Sequence, residues 1–419
     1  MVRNVLKNWS VVVLLAYSSY SNATIFPLNV FRAWDLNLRP PIWCNTCWQY
    51  TTYAEFGRHQ IGFNSDEHSV NELQIWQPTQ NAIAMLQGFP EDSPETEYYT
   101  NVLGSPVDTG IAGNLRFTGD VDVKAVGAFS ARYHTPYYVS LAVHVPLYSL
   151  RLSRVNFVDL TPPSDTVIRE FLTDDLVQVV HQFDPELQLT GWSRSGVGDV
   201  SFFAEFLRSF PQRRECLSDV FLNLRVGVTT PTGKRKNENE ILSMPFGFDG
   251  STGLVFGGGI MLTWFDMFRA GLDVEFWQLF GNTRNRRIKI HENQTEFLFL
   301  AKVPAYTDYG FTQRYNLCVQ ALNFYRGATA TIAYQCYRHG EDKLALFTNS
   351  FSQELANTAE HLQEWKFHQL IFRLEYDFQC DVPESSTLKP HVQVFYKLPL
   401  KGKRAVLAHL IGGAISLSF

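Results

Sequence analysis

The chain is 419 residues long, 45% hydrophobic and 14% aromatic, yet only 18% charged, with a formal charge of −5. Soluble domains carry about 25% charged residues, so this surface is poor in charge, and disorder needs the opposite composition. No run of about 18 apolar residues follows the start of the chain, which excludes helical membrane spans, and the mild negative charge offers no attraction to nucleic acid.

The first residues read as an export signal. Residues 1–8 hold Arg3 and Lys7 without an acid, residues 9–17 are almost wholly apolar, and Ser21-Asn22-Ala23 has the small-x-small form of a cleavage site. An apolar run this short cannot cross a hydrocarbon core of about 30 Å as a helix. The expected division is a signal peptide at 1–23, cut after Ala23, a periplasmic segment at 24–47 and a barrel domain at 48–419.

From residue 48 onward a period of two dominates. Across 121–133 the odd positions Val121, Val123, Ala125, Gly127, Phe129, Ala131 and Tyr133 are apolar, while Asp122, Lys124, Ser130 and Arg132 alternate with them. After His134-Thr135-Pro136 the pattern resumes, which is a hairpin. Twelve such segments are expected, at 48–57, 121–133, 137–149, 199–209, 218–229, 254–263, 268–280, 309–321, 325–336, 366–378, 391–397 and 407–419. Most exceed the five or six residues usual in soluble sheets, and a tilted strand of about 9 to 11 residues crosses a bilayer. Only closure satisfies every backbone group in lipid, so the fold expected is all-β, a transmembrane antiparallel β-barrel of 12 strands. A segment at 296–303, with a partner hidden in 58–120, would make it 14.

The connections alternate as an outer-membrane barrel requires. Short turns fall at 134–136, 210–217, 264–267, 322–324 and 379–390, the periplasmic side, and long loops at 58–120, 150–198, 230–253, 281–308 and 337–365, the extracellular side. The last strand sets Ile411, Gly413, Ile415, Leu417 and Phe419 against Ala408, Gly412, Ala414, Ser416 and Ser418. Its terminal Phe419 resembles the signature offered to the outer-membrane assembly machinery, an expected partner beside outer-membrane lipid. Outward aromatics are expected at both strand ends: Trp48, Tyr50, Tyr133, Tyr137, Phe268 and Phe378 at one, Phe56, Phe276, Tyr309, Phe311, Tyr334 and Tyr396 at the other.

Parity places Lys124, Arg132, Arg225, Arg269, Arg314, Arg373 and Lys397 in the lumen, and against them Glu55, Asp122, Glu205, Asp273, Glu275, Glu375 and Asp377. One sign would line a selective pore. A balanced set either lines a wet channel or pairs across the lumen and fills it. Among the loops, 71–88 is mildly amphipathic and suits an inward-folding constriction, whereas Ile168, Leu172, Leu176 and Val180 have helical spacing.

Gly196-Val197-Gly198-Asp199 opens one strand and Pro231-Thr232-Gly233-Lys234 ends the next. This pairing resembles the bacterial outer-membrane β-barrel transporters of the phenol meta-pathway type, clearly over 196–280 and by architecture elsewhere. The resemblance implies uptake or efflux of small molecules, hydrophobic ones included, and assigns no catalytic residue.

Cys44, Cys47, Cys216 and Cys380 fall at the periplasmic rim, with Cys318 inward nearby and Cys336 distant. Cys44-Asn45-Thr46-Cys47 has no second pair at zinc spacing, so disulfides are expected in an oxidising compartment, with free thiols and a metal site as alternatives. No metal or cofactor is indicated. The function expected is an outer-membrane channel or transporter for small-molecule solutes, in a Gram-negative cell and not an enzyme. Two alternatives stand beside it: a surface adhesive barrel with a plugged lumen, and a lipid hydrolase using the outward His409 or His368, for which no serine sits at the required parity.

Overall fold

The computed structural model describes residue 28 and residues 30–40, 47–106, 110–378 and 388–419. The expected signal peptide therefore lies outside the described residues. Twelve antiparallel strands form the wall: β1 (Trp48–Phe63), β2 (Asn114–His134), β3 (Val139–Asp159), β4 (Ser201–Pro211), β5 (Leu217–Thr229), β6 (Gly253–Trp264), β7 (Phe268–Leu279), β8 (Thr312–Tyr325), β9 (Ala328–His339), β10 (Trp365–Asp377), β11 (Lys389–Lys403) and β12 (Ala405–Ser418). Each pairs with its neighbours in the chain, and β1 pairs with both β2 and β12, so the sheet closes on itself. Above β4, Trp192–Val197 continues the wall by pairing with the upper half of β3. The 14-strand alternative is excluded, because Glu296–Leu298 is a 3-10 turn and Lys302–Asp308 joins a separate three-stranded sheet with Asn282–Arg287 and Lys343–Leu346.

Inside and outside are inverted relative to a soluble sheet. Leu141, Val226, Leu317, Ile332, Val394, Ile411 and Ile415 lie on the exposed outer face, while Arg314, Glu275 and Glu205 are at most 1% exposed within. That distribution is what a hydrocarbon surround and a polar interior demand. The outward rings gather at the ends. At the short-turn end Trp48 stands 4.9 Å from Tyr133 and Tyr50 5.7 Å from Phe419, and at the opposite end Phe276 stacks on Phe311 at 5.6 Å. Tyr309 departs from the expected rim, being 1% exposed and bonded through its hydroxyl to Arg286.

On β2 parity fails part-way along the expected segment, and the cause is local. On β2 the register runs from Val123 opposite Leu150 to Ala125 opposite Ser149, which leaves Lys124 as the extra residue of a β-bulge. Above it the faces exchange. Val121 and Val123 are buried inside, at 0% and 2% exposure, and Asp122 and Lys124 stand on the outer face, where the Lys124 amine donates to Ser193 Oγ at 3.3 Å. Both residues are therefore corrected from lumen to exterior.

At the long-loop end the described residues of the connections 64–113, 160–191, 230–252, 280–311 and 340–364 pack into one cap, while Arg404, at φ +48°, turns the sixth tightly. Ile168, Leu172, Leu176 and Val180 are buried, the last two on the helix Leu176–Phe183. Residues 71–88 bury Leu73, Ile75, Ile83 and Met85 in the same hydrophobic cluster as Leu150 and Leu152 of the wall. A buried ion cluster ties two loops, with Arg286 2.7 Å from Asp249 and 3.0 Å from Glu238, and Arg284 2.8 Å from Asp249.

Candidate functional site: the lumen and its plug

The segment expected in the periplasm lies instead in the lumen. Leu28 and residues 30–40 are all buried, descending from beside Phe367 and Leu407 to Pro40 near the short-turn end. The reason is chemical. The wall presents buried charges that need partners, and this stretch supplies Arg32, Asp35 and Arg39 between apolar residues that fill the remaining space.

Its contacts form three tiers. Highest, the Arg32 guanidinium sits 4.4 Å from the Trp277 ring and 4.7 Å from Tyr337, and the Phe31 N–H donates to Tyr148 Oη at 2.6 Å. At mid-height Trp34 Nε1 donates to both oxygens of Glu275 at 3.1 Å, and Asp35 forms an ion pair with Arg314 at 3.0 Å and accepts from Gln335. Arg314 and Arg225 then share Asp273 and Glu275, at 2.6–3.1 Å, so five charges from the plug and three strands make one network. Lowest, Glu205 bridges Arg39 of the plug at 3.2 Å and Arg132 of β2 at 3.0 Å. The Arg39 carbonyl accepts from Arg373 at 3.2 Å, and the Leu38 carbonyl accepts from Gln393.

Of the fourteen residues assigned to the lumen by alternation, Glu55, Arg132, Glu205, Arg225, Arg269, Asp273, Glu275, Arg314, Arg373, Glu375, Asp377 and Lys397 line it or the space beneath the plug. Lys397 of β11 pairs with Glu55 of β1 across the intervening β12, with its amine 4.9 Å from the Phe31 ring. Arg373 lies 3.3 Å from Glu375. Ten of these twelve charges thus stand in ion pairs. Sequence alternation misses Arg32, Asp35 and Arg39, because a segment that is neither strand nor helix carries no period; the one available signal is a wall charge set of both signs with nothing stated to hold it.

Below the plug a cavity of about 400 Å³ remains at the short-turn end, while the space beside the plug is only about 30 Å³. Among the described residues no three histidine, cysteine or carboxylate side chains converge at metal-binding range. Cys47 and Cys216 are exposed free thiols, which corrects the disulfide expectation for those two; Cys44 and Cys380 lie outside the described residues. The outward histidines are bonded to tyrosines, His368 Nδ1 to Tyr334 Oη and His409 Nδ1 to Tyr396 Oη, each at 2.6 Å. A hydroxyl that is phenolic and already committed does not make a hydrolytic dyad.

The two motifs of the resemblance meet at the long-loop end. Asp199 Oδ1 accepts the Gly233 N–H at 2.8 Å, and Thr232 Oγ1 accepts from the Val200 N–H at 2.9 Å while donating to the Gly198 carbonyl at 3.0 Å. A Cβ on Gly233 would collide with the Phe246 carbonyl, which accounts for glycine there.

The class defined by this geometry is a closed twelve-stranded transmembrane barrel with a polar, occupied lumen. No protein-family model matches the chain, and no curated protein sequence does. Among solved structures it is similar to an outer-membrane channel from Pseudomonas putida F1, at 10% identity over 91% of this chain and 97% of that one, with a TM-score of 0.48. It is also similar to a Pseudomonas aeruginosa FadL homologue (9% identity, 89% and 90% covered, TM-score 0.28) and to the Pseudomonas putida toluene transporter TodX (9%, 95% and 95%, 0.29). None of the three carries the phenol meta-pathway description.

Proposed function

We propose that this chain is a bacterial outer-membrane conduit for small molecules, held shut by its own N-terminal segment. The observation that carries this reading is the polar lumen wall, occupied by a segment bound through ion pairs, hydrogen bonds and ring contacts. The wall facing the plug includes Thr51, Asn223, Asn316, Gln320, Gln335 and Gln393, all buried. A barrel serving only as a rod would be filled more cheaply with apolar side chains, since a buried ion pair is often no better than a well-packed hydrophobic substitute. Uncovered, the same surface is wettable and carries both signs, which suits solutes without strong charge selection.

On this reading the short-turn end is periplasmic and the cap is extracellular. Export by a leader cleaved after Ala23, lipid contact by the outer face and recognition of the assembly machinery through Phe419 belong to the same proposal. The test is single-channel recording in planar bilayers. The full protein is expected to be mostly silent, and deletion of residues 28–40 to give stable openings. A deletion variant that folds, shown by its heat-modifiable gel mobility, yet stays silent would reject the conduit and leave the adhesive, structural barrel.

A further inference from the structure

The space beneath the plug has the size and chemistry of a binding site. At about 400 Å³ it falls within the range of small-molecule pockets. Leu36, Arg39 and Pro40 of the plug are its roof, and Asn323 and Gly327, near the β8–β9 turn, stand at its mouth. The wall around it is divided. On β10 and β11 it presents Arg373, Glu375 and His391, on β5 and β7 it presents Asp219 and Arg269, and Phe221 and Met261 supply an apolar strip.

Several polar atoms here are unspent. Arg373 is 5% exposed and its Nε makes no hydrogen bond, although its terminal nitrogens hold the Arg39 carbonyl and Thr331. His391 is 2% exposed; its Nε2 and an Arg373 terminal nitrogen each lie 3.3 Å from Glu375, but His391 Nδ1 has no hydrogen-bond partner, and neither has Asp219 Oδ1. Buried polar atoms left unmatched are costly, so a pocket with donors on one side and a carboxylate oxygen on another favours a ligand that answers both. An anion alone leaves Asp219 Oδ1 unmatched, and a cation alone leaves Arg373 Nε and His391 Nδ1.

We infer that this vestibule binds a small zwitterion with an apolar body, of the size of an aromatic amino acid, entering from the periplasm. Its ammonium faces Asp219, its carboxylate faces Arg373 and His391, and its ring lies on Phe221 and Met261. The inference deepens the conduit reading by naming a class of molecule, and rests on it for the side of access.

The test is titration calorimetry on the full chain in detergent, with phenylalanine, phenethylamine, 3-phenylpropionate and toluene as probes. Phenylalanine is expected to bind at least about tenfold more tightly than the other three, because each of those leaves a buried polar group unmatched. Asp219→Asn, which breaks no hydrogen bond of Oδ1, is expected to reduce that preference over 3-phenylpropionate, and Thr329→Trp, which fills the space, to remove all binding. Equal affinity for phenylalanine and toluene, unchanged selectivity in Asp219→Asn, or no heat with any probe would overturn the inference. Because the plug stays in place throughout, silence of the plug-deleted protein in bilayers would reject the conduit without touching this result.

Discussion

Glu205 shows how much a single side chain carries in this lumen. It is 1% exposed and neutralises two guanidinium groups, one on the wall and one on the plug. Glu205→Gln keeps the shape but leaves Arg39 and Arg132 without their shared counter-charge. The expected cost is about 3–5 kcal/mol, the range for breaking a buried ion pair by one partner. It should appear as a lowered urea midpoint of the folded barrel and as more frequent openings in bilayers, whereas an unchanged midpoint would mean that the two arginines find other partners. That Glu205 faces inward is legible from alternation alone. Its partner Arg39 is not, since nothing in the spacing of residues 28–40 says where an irregular segment goes.

Among the elements, β2 separates what alternation can and cannot reveal. The twelve strands are legible because a two-sided environment, lipid outside and polar groups inside, forces a period of two over lengths that span a membrane. A bulge adds one residue without any compositional mark, so the reading of 121–133 as one unbroken face is correct below Lys124 and reversed above it. A sharp expectation follows. Removing Lys124 takes out the unpaired residue and leaves every other side chain on its present face, so the barrel should still form and migrate as a heat-modifiable band. Removing Ala128, in the regular part of the same strand, turns one flank inside out and should leave only unfolded protein on the same gel. If both deletions fold, register in this hairpin is not fixed by the faces.

For the molecule as a whole, the cap and the wall respond differently to acid. In the cap, burial pushes the Glu238 carboxyl up, but Lys236, Arg286 and Arg284 outweigh it and hold the group well below the ordinary glutamate range. A carboxylate so depressed contributes stability that is present above its unfolded value, about 4.3, and is lost as pH falls through and below it. Limited proteolysis should therefore find residues 230–252 and 280–311 resistant at neutral pH and cut increasingly under acid, with the barrel strands still intact. In Glu238→Gln the resistance should already be reduced at pH 7 and change less with acid. Uniform resistance across that range would mean that apolar packing alone holds the cap.

The seam between β1 and β12 has a consequence for how such a chain comes into being. The backbone carbonyl of Phe419 accepts from the N–H groups of Cys47 and Trp48 at 3.0 and 2.9 Å, so the cylinder is fastened at this residue. During synthesis the opening strand waits for a partner more than three hundred positions away, offering an unmatched ribbon edge to any passing chain. Only the arrival of β12 covers that ribbon, and loss of Phe419 removes one rung of the clasp.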